Sequence, residues 1–473
     1  MEREFKLLID GALVDGASCF EVINPATGEA FASCPKADEA LLNRAVAAAK
    51  AAFPAWSATP IDRRAALVDI LADKLDERAD EFAALLTREQ GKPLPQAQFE
   101  VMASSGTLRA FAQMRPESRV LRDEGGNRVF EHRTPLGVVA AITPWNYPVI
   151  LAMNKIGPAL VAGNTVVLKP APTTPLTSLL FGEICAEVLP PGVINVICDQ
   201  NDLGQLLTGH PDVAKVAFTG STATGKKVMA SSAGSIKRVT LELGGNDAAI
   251  VLDDVEPAVA ARKVFDGAMI NAGQVCVAIK RAYVPRSMYD DFCDELQQLA
   301  GQAVVDDGMC QGATIGPVQN AVQYAKVKEL LDDARERGNV IAGGSALDRP
   351  GYFIAPTIVR DIPDDARIVR EEQFGPVLPV LSYEDTDEVI ARVNDSEYGL
   401  GGTIWGNDVA RATEVAMRID SGTVWVNQHM AIDPFIPFRG AKQSGMGGEL
   451  GQAGLHEYTQ AHIVNAVPLE PVA

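Results

Sequence analysis

From Gly137 onward, short apolar runs rich in β-branched residues alternate with helical stretches, and this alternation restricts the possible folds more than any other feature. The first runs span residues 137–142, 165–168, 193–197, 213–218 and 248–252. A strand that is apolar at every position, rather than at every second one, must be covered on both faces. Helices between the strands supply that cover, so the pattern predicts a parallel sheet of the α/β class. A second series, from Ala282-Tyr283-Val284 to Gly422-Thr423-Val424-Trp425-Val426, predicts a second such sheet. The break falls near Gly244-Gly245, and 473 residues leave room for two or three domains.

Three segments before this region, 37–53, 61–78 and 81–90, are alanine-rich with helical apolar periodicity. Pro54 and Pro60 mark the predicted break between the first two. Short runs on either side of Asp123-Glu124-Gly125-Gly126-Asn127 predict a hairpin over 118–134 with a glycine-rich turn. The tail at 462–467 reads as a strand.

A net charge of −19 argues against broad nucleic-acid binding and against an anionic membrane surface, because both need a basic patch. No apolar run has the roughly 18 residues of a membrane span. The charged start Met1-Glu2-Arg3-Glu4-Phe5-Lys6 lacks a signal-peptide core, so a cytoplasmic protein is expected. Seven scattered cysteines without a Cys-x-x-Cys pair, and five dispersed histidines, suggest neither a disulfide framework nor a metal site.

Three segments carry reactive groups: Ile270-Asn271-Ala272-Gly273-Gln274-Val275-Cys276, Thr143-Pro144-Trp145-Asn146-Tyr147-Pro148 and Leu241-Glu242-Leu243-Gly244-Gly245-Asn246. Together they offer a thiol, an amide and a carboxylate. A thiolate adds to a carbonyl, an amide N–H stabilises the oxyanion, and a carboxylate of raised pKa activates water. With a cofactor to take the hydride, those groups suffice to oxidise an aldehyde through a thioester. The Gly-x-Gly-x-x-Gly fingerprint is absent. Instead Phe218-Thr219-Gly220-Ser221 ends a strand and a helix follows, whose N-terminus suits a pyrophosphate, with Ser221 adding a hydroxyl. Residues 220–226 also read Gly-x-x-x-x-Gly-Lys, but Lys227 stands where a phosphate loop needs Ser or Thr for Mg²⁺, which excludes an NTPase.

At these residues the chain resembles the aldehyde dehydrogenase superfamily. The resemblance extends from Ile23-Asn24-Pro25-Ala26-Thr27-Gly28 to Glu457-Tyr458-Thr459, through Leu168-Lys169-Pro170, Glu372-Gln373-Phe374-Gly375-Pro376 and Pro437-Phe438-Arg439-Gly440. It implies two Rossmann-like parallel-sheet domains plus a small β oligomerisation element. The dinucleotide-binding domain is expected over 1–115 and 136–244, the catalytic domain over 245–438, and the oligomerisation element over 116–135 and 455–473. The hairpin and terminal strand would pair with another subunit, giving a homodimer or homotetramer.

The resemblance also assigns roles. Cys276 is the expected nucleophile, Glu242 the general base and Asn146 the oxyanion donor, with the backbone N–H of Cys276 as second donor. Lys155 would tune Glu242, relay protons or pair with a carboxylate. Ile142, Trp145, Lys169, Gly220, Ser221, Gly244, Glu372 and Phe374 are expected at the dinucleotide, Lys169 at the adenosine ribose and Glu372 at the nicotinamide ribose. Tyr147, Met153, Val275, Val277, His429 and Phe438 are expected around the substrate, which points to a medium-chain aliphatic or aromatic aldehyde. Glu242 opposes a coenzyme A-acylating relative, and the full Asn146, Glu242 and Cys276 set opposes a silent structural protein.

Three positions depart from the family pattern. Ile270 replaces a more usual aromatic residue. Pro172 stands where many NAD-preferring members carry Glu, so NADP is less disfavoured, although NAD remains the expected better cofactor. Arg439 replaces a glycine of Pro-Phe-Gly-Gly, where it could reach substrate, cofactor or a neighbouring loop.

Overall fold

The structure is a computed structural model that describes residues 3–468. The remaining residues of the expected 1–115 and 455–473 segments lie outside it. The first sheet contains β1 (Val138–Ile142), β2 (Thr165–Lys169), β3 (Ile194–Val196), β4 (Val213–Thr219) and β5 (Arg238–Glu242), parallel in the order β3-β2-β1-β4-β5. Leu7–Ile9 and Gly445–Met446 flank these strands antiparallel, and Ala12–Val14 pairs outside Leu7–Ile9 as the edge. Every residue of β1, β2 and β3 is buried, which is why they read as unbroken apolar runs. The chain winds outward from β1 to β3, then returns to β4 on the other side of β1. This reversal opens a crevice beyond the carboxyl ends of β1 and β4.

The second sheet holds β6 (Asp247–Val251), β7 (Ile279–Pro285), β8 (Thr357–Arg360), β9 (Val377–Tyr383), β10 (Gly401–Trp405) and β11 (Thr423–Val426). Its parallel order is β8-β9-β7-β6-β10-β11, with Asn339–Ala342 antiparallel outside β8. Ala248 and Ile250 of β6 enter one core cluster, and Ala249 and Val251 another, so alternate residues serve the two faces. The chain crosses between the sheets from Glu242 to Asp247.

The hairpin Arg119–Glu124 and Asn127–Pro135 turns through Gly125 and Gly126, both at positive φ (58° and 81°), as a two-residue turn of matching twist requires. Thr459–Ala466 pairs antiparallel with Asn127–Pro135, completing a three-stranded ribbon. Pro54 does not break the first helix, which runs Glu39–Ala58. The carbonyl that Pro54 leaves without a donor belongs to Lys50, which is exposed, so water can replace the lost bond. The chain turns only at Thr59-Pro60. Among the described residues no helix is long and apolar enough to cross a membrane.

Candidate active site

Strand register sets one row of the site. At the carboxyl ends of the first sheet, Lys169 pairs with Ile142, Ile142 with Phe218, and Thr219 with Glu242. The chain leaves β1 into Thr143–Tyr147 and leaves β4 into Gly220-Ser221, so both segments border the crevice. Ser221 caps the helix Thr222–Ser232: its Oγ accepts the Thr224 N–H at 3.3 Å and donates to Thr224 Oγ1 at 3.0 Å. The hydroxyl expected to be free for a phosphate is therefore engaged in the cap.

Cys276 lies just before β7, at the end of a tightly wound loop. Asn271 and Ala272 adopt φ of 51° and 54°, and Gly273 follows at 70°. A left-handed backbone costs a non-glycine residue about 1–2 kcal/mol, so the loop needs external support. Gln96 accepts the Asn271 N–H at 3.1 Å, and Gln274 Nε2 donates to Asn271 O at 2.9 Å. Gln274 Oε1 accepts from Gln319 N at 2.8 Å. Only glycine fits at 273, because a Cβ there would lie 2.1 Å from Gly375 O.

Asn146 is held from both ends. Its carbonyl accepts from Lys92 Nζ at 2.9 Å and Asn271 Nδ2 at 3.1 Å. Its side-chain Nδ2 donates to Gln274 O at 3.0 Å. A carboxamide carries two N–H donors, so one remains for a substrate oxygen. Lys92 is itself buried against Glu100, and Glu100 accepts Val149 N–H at 2.9 Å at the start of the helix Pro148–Ala162.

Burial pushes the Cys276 thiol up to about 12, with buried Lys280 opposing the shift. The thiol is therefore neutral near pH 7 and reacts only when a base takes its proton. Glu242 is buried and neither carboxylate oxygen has a hydrogen-bond partner. Its pKa is raised well above the ordinary value, first by burial and then by the Glu449 carboxylate, while Lys155 pulls it down. Lys155 does not bond Glu242. Its Nζ lies 2.5 Å from Glu449 Oε1 and 2.6 Å from Thr219 Oγ1.

Cys276, Asn146, Trp145, Gly220, Ser221, Gly244, Glu372 and Phe374 line one cleft of about 160 Å³. Trp145 and Phe374 meet edge to face at 5.2 Å. Glu372 Oε1 accepts the Gly245 N–H at 3.0 Å, and burial raises its pKa. Lys169 is paired with buried Asp199.

Tyr147, Val275, Val277 and Phe438 gather around Cys276, joined by Leu400, Trp425 and Met430. His429 lies behind them, with Nε2 2.7 Å from Val277 O and its ring edge-on to Trp425. Burial lowers its pKa to about 4, so it is neutral. Met153 belongs to the core of the first sheet and does not join this cluster, because its place in the helix Pro148–Ala162 turns it toward that sheet. Arg439 is exposed and lines a separate groove of about 850 Å³ with Arg238, His456 and Glu457.

Glu449, Lys92, Glu100, Asp199 and Trp425 were not foreseen from the sequence. Each acts on a residue far along the chain, 294 positions in the Glu449–Lys155 case, and no local spacing announces such a contact.

The family model of the aldehyde dehydrogenase family matches residues 13–464. The chain is 38% identical over 463 residues to the succinate-semialdehyde dehydrogenase [NADP(+)] GabD of Escherichia coli (strain K12), covering 96% of each chain. It is 40% identical over 472 residues to a phenylacetaldehyde dehydrogenase of Pseudomonas fluorescens, covering 96% of this chain and 94% of the relative. A point mutant of the Staphylococcus aureus betaine aldehyde dehydrogenase, solved with NAD+, superposes at a TM-score of 0.95 with 33% identity, covering 98% of this chain and 97% of that one. With these matches over nearly its whole length, the chain belongs to the aldehyde dehydrogenase family, whose members oxidise small aldehydes with NAD or NADP.

Proposed function

We propose that this protein oxidises a medium-chain aliphatic or aromatic aldehyde to its carboxylic acid with NAD(P)+, through a thiohemiacetal and a thioester on Cys276. The observation that carries this reading is that Cys276 and Asn146 line the same cleft as Gly220, Gly244, Glu372 and Phe374.

The cleft fits a dinucleotide in its chemistry. It lies at the reversal between β1 and β4, where such sheets take nucleotides. Glycines at 220 and 244 let backbone approach a ligand, and Glu372 offers carboxylate oxygens to ribose hydroxyls. The bound cofactor supplies the hydride acceptor. Lys169, Gly220 and the backbone N–H of Ser221, whose hydroxyl is taken by the cap, would hold its adenosine and phosphate half, with Ile142 and Trp145 on the β1 side. Glu372, Phe374 and Gly244 would hold the nicotinamide half.

Cys276 Sγ adds to the aldehyde carbon once its proton is removed. The free N–H of Asn146 and the backbone N–H of Cys276 then stabilise the oxyanion. After oxidation the thioester must be hydrolysed. Glu242, with both oxygens unpartnered and its pKa raised, accepts a proton from the attacking water. The Lys155–Glu449 pair sets the charge behind it.

The apolar cluster of Tyr147, Val275, Val277, Trp425, Met430 and Phe438 supports an apolar aldehyde. Arg439 lines a groove other than the cleft that holds Cys276. This weighs against a dicarboxylic semialdehyde, and the named substrate of the phenylacetaldehyde relative fits the reading better than that of GabD.

The same reading covers the assembly. The dinucleotide-binding domain comprises 1–115 and 136–244, the catalytic domain 245–438, and the oligomerisation element 116–135 and 455–473. Exposed Val120, Leu121 and Ile463 on the three-stranded ribbon support pairing with a second subunit in a homodimer or homotetramer. All seven cysteines are free, in keeping with a cytoplasmic protein.

The test is an aldehyde panel assayed with both cofactors, with and without coenzyme A, on wild type and Cys276→Ala. Aldehyde-dependent cofactor reduction is expected, lost in Cys276→Ala, while dinucleotide binding persists. Turnover that requires coenzyme A would establish an acylating enzyme. Binding without turnover on any aldehyde would leave a silent protein with this fold.

A further inference from the structure

The cofactor half of the proposed site contains a carboxylate that the motifs do not show. In a sheet wound like the first one, the ribose hydroxyls of an adenosine are met at the carboxyl end of the second strand. The residue there is Lys169, the last of β2. Its strand end is fixed, since Thr143 N–H donates to Lys169 O at 3.2 Å. A free ammonium at that place would attract the 2′-phosphate of NADP, and Pro172 offers no charge to oppose it.

Lys169 is not free. Its Nζ lies 2.5 Å from Asp199 Oδ1, on the loop that follows β3. The side chains are 4% and 0% exposed. Asp199 is anchored in turn, because Oδ2 accepts the Leu203 N–H at 2.9 Å. The carboxylate missing at 172 thus has a counterpart 27 positions on, delivered to the same lysine by the neighbouring strand.

We propose that Asp199 is a specificity-determining residue that favours NAD over NADP. It acts by neutralising Lys169, so that the lysine has no unpaired charge for a 2′-phosphate. Lys169 keeps N–H donors for neutral hydroxyls, which suits the unphosphorylated ribose. The inference rests on the proposed dinucleotide site, and its direction is opposite to the cofactor in the name of the GabD relative.

The experiment measures equilibrium binding of NADH and NADPH, with the fluorescence of cleft residue Trp145 and the other tryptophans as the signal. Wild type should bind NADH tighter by about tenfold or more. Asp199→Asn should narrow that ratio about tenfold by tightening NADPH. Adding Lys169→Gln to Asp199→Asn should remove most of the gained NADPH affinity, whereas Lys169→Gln alone should not tighten NADPH, because it leaves Asp199 without its cation. A ratio that Asp199→Asn leaves unchanged, with both dinucleotides still bound, would overturn the proposal. If Asp199→Asn does not fold, Lys169→Met/Asp199→Leu replaces the buried pair by apolar residues, an exchange such pairs often tolerate. With no lysine charge to free, that variant should keep about the wild-type ratio, and a tightened NADPH would overturn the proposal. If wild type binds neither dinucleotide, the site reading itself fails, which is a separate result.

Discussion

Lys155 and Glu449 form a buried ion pair, Nζ to Oε1 at 2.5 Å, and the two charges act in opposite directions on Glu242. Glu449 holds the Glu242 proton on and Lys155 pulls it off, with burial the larger influence. The carboxylate proposed as base therefore has its proton affinity adjusted by a pair it does not touch through a hydrogen bond.

Glu449→Gln removes the anion and leaves Lys155 as the dominant charge. The Glu242 pKa should fall, so the rising limb of kcat against pH should move to lower pH. The plateau should also drop, because a weaker base activates water less well. Breaking one side of a buried pair should cost about 3–5 kcal/mol of stability. A pH–rate profile and a denaturant titration check both parts. An unmoved limb would show that the pair does not reach Glu242.

Glu242→Gln should stall the enzyme after hydride transfer. A rapid burst of reduced cofactor, near one equivalent per site, should precede slow turnover as the thioester accumulates. Loss of the burst would move Glu242 to thiol activation, a step the neutral Cys276 thiol also requires.

The same substitution has a stability signature with a definite sign. The folded pKa of Glu242 lies above its unfolded value, so folding favours the protonated form. The Glu242 contribution is fully present below the unfolded value of about 4.5 and is lost as pH rises through the folded value. Gln carries no charge to bury. The Tm of Glu242→Gln relative to wild type should therefore increase with pH, and a difference independent of pH would refute the assignment of a raised pKa.

Asn146→Ala should lower kcat/KM about 10²–10³-fold through the lost oxyanion donor. Dinucleotide affinity should change little, and direct binding measured beside steady-state kinetics separates the two. Equal loss of both would mean that Asn146 chiefly holds the loop through Gln274 O.

Lys92→Met should unpin Asn146 and leave Glu100 buried without its cation. A loss of about 3–5 kcal/mol is expected. Any activity that remains should show a lowered kcat, because the donor is less well positioned. Wild-type stability and kcat together would exclude this support role.

The legible part of the molecule was the part written in neighbouring residues. Unbroken apolar runs at 138–142 and 165–168 revealed buried parallel strands, because a strand enclosed on both faces has no polar positions. Glycines 125 and 126 marked the hairpin, since its two-residue turn needs positive φ twice. The segments around Asn146, Glu242 and Cys276 stand out in the sequence because each group lies in its own local motif. The tertiary structure decided what stands opposite each of them. Strand order and crossovers bring Glu449 to Lys155, Asp199 to Lys169 and Lys92 to Asn146, and turn Arg439 to a different groove from the thiol. A lysine carries the same short-range preferences whatever carboxylate meets it. Only the three-dimensional arrangement of strands that are distant in the chain determines whether its charge is free, paired or directed at a base.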